Sequence, residues 1–220
     1  MNAATITMDG LTTPENPARF ASTARPRRVA VVSDDEDAQL MLAYARGEIG
    51  AFETLYARHR GALYRYLTRQ ARDGEIANDL FQEVWSRVIV NRARYEPRAK
   101  FRTFLFTLAH NCFIDHCRRT RSRPTGMVLE DADAADLLPA SEESQPDSLL
   151  ARDETSRRYR AALASLPAEQ RDVYLLHEES DLSLEEIARV TGVGAETAKS
   201  RLRYAVNKLK AALSVAETSR

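Results

Sequence analysis

Apolar residues in this chain recur every three to four positions, and no segment alternates apolar and polar residues as a half-buried strand would. Leu40, Met41 and Tyr44 open one helical stripe. Phe52, Leu55, Tyr56, Leu63 and Leu67 make a second, Leu80, Phe81, Val84, Trp85 and Val88 a third, and Phe101, Phe104, Leu105, Leu108 and Cys112 a fourth. The pattern runs from Asp34 to about Arg119, stops, and returns from Tyr159 to about Leu213. Between them, Arg121 to Glu154 holds Pro124, Pro139, Pro146, Gly126, several serines and many aspartates, the composition of an extended tether. Residues 1–33 hold Pro14, Pro17 and Pro26 and no apolar period. The expectation is an all-α protein, two small helical domains joined by a flexible acidic linker. Its parts are a disordered tail over 1–37, a first domain over 38–120, the linker over 121–155, a second domain over 156–214 and a short tail over 215–220.

The formal net charge of the 220 residues is zero, but the charge is segregated. Residues 38–120 carry 14 Lys/Arg against 8 Asp/Glu, whereas residues 121–155 carry 3 against 9. A basic block followed by an acidic one fits a polyanion partner, and equally a solvated surface. No apolar run approaches the roughly 18 residues needed to span a bilayer. The N-terminal residues lack the basic start and apolar stretch of a secretory signal. With two cysteines and no export signal, a cytoplasmic location and no disulfide framework are expected.

SLEEIARVTGVGAETAKSRLRYAVNKL, residues 183–209, has the parts of a helix-turn-helix in order. Ser183 and Glu186 have capping-box spacing, which starts a helix. Gly192 stands where the chain must leave that helix with positive φ. Val193 plugs the corner, and Gly194 can cap the second helix. At roughly 100° per residue, Ala198, Leu202, Ala205, Val206 and Leu209 fall on one side. Glu196, Thr197, Ser200, Arg203, Tyr204 and Asn207 fall opposite, flanked by Lys199 and Arg201. Hydrogen-bonding side chains bordered by cations suit base edges bordered by phosphates.

Two stretches of the first domain carry a double meaning. RARYEPRAKFRTFLF, residues 92–106, interleaves Arg92, Arg94, Arg98, Lys100 and Arg102 with Tyr95, Phe101, Phe104 and Phe106. Such a mixture can grip single-stranded nucleic acid, each stacked base contributing roughly 1–3 kcal/mol. It fits as well with Phe101 and Phe104 in a core and the arginines outside. In NDLFQEVWSRV, residues 78–88, Leu80, Phe81, Val84 and Trp85 face inward while Asp79, Gln82 and Glu83 face away, either as a salt-bridged solvated face or as a docking surface for a basic partner.

HNCFIDHC, residues 110–117, gathers two of the four histidines and both cysteines. On a helix His110 projects with Cys117, and Cys112 with His116, but the two pairs sit well over roughly 90° apart around the axis. Four ligands cannot converge on one tetrahedral ion from that arrangement. No metal site is expected; Cys112 is assigned to the core, and His110, Asn111 and Cys117 to the helix surface or a groove.

Together these segments resemble the extracytoplasmic-function class of bacterial RNA polymerase sigma factors, over about 38–120 and 156–212. NDLFQEVWSRV is similar to that family's region 2.2, which docks on the coiled coil of the polymerase β′ subunit. The resemblance implies core-polymerase contacts from Asp79, Leu80, Gln82, Glu83 and Trp85. KFRTFLFTLAHNCFIDHCRR is similar to regions 2.3–2.4, which melt and hold the −10 promoter element. It implies −10 contacts from Tyr95, Lys100, Phe101, Arg102, Phe104, Asn111, Arg118 and Arg119, with Asn111 reading a base and the preceding loop capturing a flipped one. LPAEQRDVYLLHEESDLSLEEIARVTGVGAETAKSRLRYAVNKLK is similar to region 4, whose helix-turn-helix reads the −35 element. It implies contacts from Glu196, Thr197, Lys199, Ser200, Arg201, Arg203, Tyr204 and Asn207.

The implied partners are core RNA polymerase through its β′ and β subunits, promoter DNA, and an anti-sigma factor or other inhibitory regulator. No catalysis, cofactor, metal or membrane insertion is implied. The acidic stretch is expected to thread toward the polymerase's nucleic-acid channel. Three features depart from the pattern: Phe104 stands where the family often has Trp, Gly194 where Ser is common, and the stretch of about 37 residues ahead of the first domain is long. The competing readings are a lone helix-turn-helix regulator, which would bind duplex DNA by itself, and a metalloenzyme, which the helix geometry disfavours.

Overall fold

A computed structural model describes residues 35–122 and 146–218, with side chains over 35–120 and 154–214. The N-terminal tail and most of the expected linker lie outside the described residues. Those described form eight α-helices and one 3-10 turn, with no strand among them. The helices are α1 (Glu36–Ala45), α2 (Ile49–Ala71), α3 (Gly74–Val90), α4 (Phe101–Ser122), α5 (Pro146–Ala164), α6 (Ala168–Ser180), α7 (Leu184–Thr191) and α8 (Ala195–Thr218).

Local signals set the helix ends. Asp73 caps α3 by accepting from the Ile76 N–H at 3.0 Å. Arg72 and Asp181 end α2 and α6 in the left-handed region, at φ 59° and 49°. The apolar stripes then bring α1 onto α2, α2 onto α3 and α3 onto α4. Met41, Leu55, Leu63, Leu67, Val84, Phe101 and Leu105 are wholly buried in that first set. Each such side chain contributes roughly 1.5–3 kcal/mol, so packing rather than helix propensity holds the set together. In the second set α8 is the spine against which α5, α6 and α7 pack, burying Leu175, Leu176, Ile187 and Ala205.

Three expected boundaries move. Asp35 and Asp37, assigned to the tail, belong to the fold. Asp35 accepts the Phe101 N–H at 2.6 Å, capping α4. Asp37 reaches Arg58 at 2.8 Å and the buried His59 at 2.7 Å. Helix α5 starts at Pro146, inside the stretch assigned to the linker, and α8 runs to Thr218, past 214.

The two helical sets also touch. Helix α2 packs on α6, and α4 packs on α6 and α7. Lys100, Arg102, Thr103 and His110 lie in this junction.

Candidate nucleic-acid interface

The helix-turn-helix is built as its residues dictate. Ser183 Oγ accepts from the Glu186 N–H at 3.2 Å, and Glu186 Oε2 accepts from the Ser183 N–H at 2.8 Å, closing the capping box. Gly192 takes φ 68°, and its N–H and that of Val193 both turn back to Ala188 O. Gly194 O accepts the first bond of α8, from the Ala198 N–H at 3.0 Å. Ala198, Ala205 and Leu209 are buried, and Leu202 and Val206 half-buried. On the other side Glu196, Thr197, Lys199, Arg203, Tyr204 and Asn207 are exposed, with Ser200 and Arg201 half-buried at the border. The Arg203 guanidinium lies 5.3 Å from the Tyr204 ring centroid, within cation–π range, and both side chains are exposed. Tyr204 is 55% exposed on this face.

The α4 face is only partly open. Asn111, Arg118 and Arg119 are exposed. Arg118 lies 3.9 Å from Asp115, and Arg119 lies 3.7 Å from Glu83. The aromatic residues of the loop are packed rather than splayed. Phe101 is wholly buried between His59, at 5.3 Å, and Tyr95, at 6.3 Å, because its N–H is tied down by Asp35. Tyr95 is 9% exposed and meets Phe104 edge-on at 5.1 Å. Phe101 and Tyr95 are therefore interior in this conformation and shape the loop from beneath. Half-buried Phe104 is the accessible member of the trio.

On α3, Asp79 and Gln82 are exposed, and Glu83 is half-buried, bonded to Arg87 at 2.5 Å. Leu80 and Trp85 are interior, at 2% and 5% exposure. They anchor the helix, Trp85 meeting a tilted Tyr56 ring at 5.0 Å and Phe52 edge-on at 5.7 Å, and do not themselves form a surface.

The pairings across the junction have no sequence signal, although Lys100, Arg102, Glu186 and His110 each carry another reading in sequence. Asp172 Oδ1 accepts from Tyr66 OH at 2.7 Å and from Gln70 Nε2 at 2.5 Å. Its Oδ2 lies 2.9 Å from His110 Nδ1, though not in hydrogen-bond geometry. Arg65 and Arg69 both reach Glu179. Lys100 Nζ lies 3.4 Å from Glu186 Oε1, and Arg102 donates to Asp181 Oδ2 at 2.8 Å. Burial works to raise the Glu186 carboxyl, but the Ser183 N–H and Lys100 outweigh it and hold the group below its ordinary value. The partners stand far apart in sequence, so no local signal marks their pairing.

HNCFIDHC lies on one continuous helix. His110 faces Asp172, Cys112 is buried in the core and His116 lies 3.4 Å from Thr120 Oγ1. Among the described residues no group of three or more His, Cys, Asp or Glu side chains is placed to hold a metal ion. Burial pushes the Cys112 thiol up to about 11, so it stays protonated and inert at neutral pH.

Residues 55–123 match the Sigma-70 region 2 family, and residues 156–209 match Sigma-70, region 4. RNA polymerase sigma factor CarQ of Myxococcus xanthus is 33% identical over 171 residues, 77% of this chain and 93% of CarQ. ECF RNA polymerase sigma factor SigK of Mycolicibacterium vanbaalenii is 30% identical over 190 residues, 86% of this chain and 94% of SigK. The chain belongs to the extracytoplasmic-function class of RNA polymerase sigma factors. Its function is promoter-specific transcription initiation, and its relatives are initiation factors rather than enzymes.

Two solved structures share the sigma-factor fold at 24% identity. CnrH, in complex with the cytosolic domain of CnrY, superposes with TM-score 0.60 over 81% of this chain and 97% of that one. The sigma factor RpoE of Bartonella quintana, in complex with the anti-sigma factor NepR, superposes with TM-score 0.61 over 74% and 97%. In this sigma factor, region 2 is carried by α2–α4 and region 4 by α5–α8. Among the described residues no helix is long and apolar enough to cross a membrane.

Proposed function

We propose that this sigma factor reads the −35 element with the outward row of α8: Glu196, Thr197, Lys199, Ser200, Arg201, Arg203, Tyr204 and Asn207. The observation that carries the reading is the exposed set Glu196, Thr197, Lys199, Arg203, Tyr204 and Asn207, bordered by half-buried Ser200 and Arg201, opposite buried Ala198, Ala205 and Leu209. A helix anchored on one side by small apolar residues and tipped with donors on the other fits a major groove. Region 2 holds the −10 element through Asn111, Arg118, Arg119, Lys100, Arg102 and Phe104, with Tyr95 and Phe101 as supports. Asp79, Gln82 and Glu83 dock on the core polymerase β′ subunit, with Leu80 and Trp85 anchoring the helix beneath them, and the β subunit completes the contact. The acidic segment between the regions follows the polymerase's nucleic-acid channel. The protein acts in the cytoplasm under an inhibitory protein partner, a reading supported by the complexes in which the two solved relatives were captured.

The test is run-off transcription with core RNA polymerase on a promoter library randomised at −35. Arg203→Ala is expected to lower initiation roughly tenfold and to relax preference at one position, since one good base contact supplies roughly 1–3 kcal/mol of discrimination. An unchanged set of selected promoters would move the reading head away from α8.

A further inference from the structure

Arg171, Asp172, Glu179 and Glu186 are buried where α6 and α7 meet the first helical set. A buried charge is costly unless an opposite charge or hydrogen bonds replace its water. The three acids have such partners. Asp172 Oδ1 accepts from Tyr66 OH at 2.7 Å and Gln70 Nε2 at 2.5 Å. Glu179 takes Arg65 and Arg69. Glu186 accepts the Ser183 N–H at 2.8 Å and faces Lys100 at 3.4 Å. Arg171 differs. It is 7% exposed, and its guanidinium makes one hydrogen bond among the described residues, from Nε to the neutral Gln70 Oε1 at 3.3 Å. No carboxylate among them forms an ion pair with it. Neither Nη atom has a partner, and neither is sealed from solvent.

The surroundings of this fork are positive. Burial holds the Arg171 guanidinium below its ordinary basicity, and the Arg72 charge lowers it further, against the pull of Asp172. Arg72, at the end of α2, donates through Nη2 to Ala164 O at 3.3 Å. Lys208 of α8 donates through Nζ to Ser165 O at 2.9 Å. Both carbonyls belong to the turn from α5 to α6, and each cation keeps further donors beyond that one bond. Pro167, the N-cap of α6, offers that helix no side-chain acceptor, so the positive end of its dipole lies at the same turn. The neighbouring acids are engaged elsewhere or face outward. Asp172 is bonded to Tyr66 and Gln70, Asp73 caps α3, and Glu169 is exposed in the first turn of α6.

We infer that Arg171 and Arg72, with Lys208 on the same turn, form a binding site for a small anion carrying a phosphate group. A guanidinium fork matches a pair of oxygens on a carboxylate or a phosphate. Two such groups from different helices favour a dianion, which selects phosphate over a single carboxylate. The ligand is small because so little of Arg171 is open to solvent. A phosphate there replaces the water that Arg171 gives up on burial and spans α2 and α6, so its binding adds to the stability of the folded chain. Neither arginine is among the residues assigned above to promoter DNA or core polymerase, and the site is separate from both.

The test uses the full chain in chloride buffer, with inorganic phosphate or pyrophosphate titrated in at constant ionic strength. Concentrations stay below about 10 mM, where exclusion of phosphate from protein surfaces is negligible. Circular dichroism reads the melting temperature, and the phosphorus NMR resonance of the probe reads binding directly. The wild type is expected to gain about 3 °C in a saturable way, and the probe resonance to broaden. Arg171→Met removes the charge while keeping a long apolar side chain, and should abolish both effects. If that variant does not fold, Arg72→Asn decides. Position 72 is exposed, and Asn tolerates its left-handed φ of 59°. Losing one charge-assisted contact there should raise the dissociation constant of the probe roughly tenfold. A response to either probe that depends on these arginines supports the site, and tighter binding of pyrophosphate assigns it to a diphosphate-bearing ligand. A wild type indifferent to both probes overturns the site, and so does a response of equal size and affinity in Arg171→Met or Arg72→Asn.

Discussion

His59 lies within the region 2 core, 2% exposed, with its Nε2 2.7 Å from Asp37 Oδ2 and its ring against Phe101. Burial holds the imidazole below its ordinary value, against the opposing pull of the Asp37 carboxylate. A depressed histidine stays neutral in the folded chain while the unfolded chain takes up a proton at about pH 6.5. Its contribution is therefore fully present above that pH. It is lost as the pH falls, until the folded-state ring also protonates. Melting temperatures of wild type and His59→Gln compared between about pH 7.5 and 5.5 should show the steeper acid-side decline in wild type. Parallel slopes would mean that the ring titrates alike in both states. The histidine's burial follows from its place in the apolar stripe of α2, so its core position could be read from sequence. Its partner could not, because Asp37 stands ahead of Leu40, the first residue of the apolar stripe, and within the stretch assigned to the tail.

At the scale of the helix, the helix-turn-helix is the part whose geometry sequence specifies most fully, because its cap, turn and amphipathic face are all local. Two single changes measure that local logic. Ser183→Ala removes the cap of α7 and should cost about 1 kcal/mol. Gly192→Ala meets nothing within 4 Å, so its cost, again about 1 kcal/mol, comes from placing a Cβ at φ 68° rather than from a clash. Urea midpoints should fall in both with unchanged slopes; a loss of several kcal/mol in Gly192→Ala would mean a crowded turn instead. The loop before α4 was less legible. Its alternation of arginines and aromatics fits stacking on bases and packing in a core equally well, and tertiary contact with His59 and Asp35 decides for Phe101.

For the whole molecule, the described helices of both expected domains fall in one compact unit with a shared apolar core, a mutual contact that no sequence signal foretells. Arg65 and Glu179, or Gln70 and Asp172, stand about a hundred positions apart, and each looks like an ordinary surface residue on its own helix. Docking on the polymerase is also a property at this scale. The Asp79→Ala, Glu83→Ala double variant should compete poorly for core polymerase while melting close to wild type, because the Glu83 ion pairs with Arg87 and Arg119 are surface pairs worth roughly 0–1 kcal/mol each. Undiminished core affinity would place the docking face elsewhere. Glu186 ties the scales together. One carboxylate oxygen caps the first helix of the DNA reader, and the other receives Thr103 and Lys100 across the junction. Such a position has little freedom to drift, since a mutation that loosens the contact also frays the reader. The other acids of the junction, Glu179 and Asp181, carry no such second duty, so substitutions among relatives should accumulate there while position 186 stays acidic.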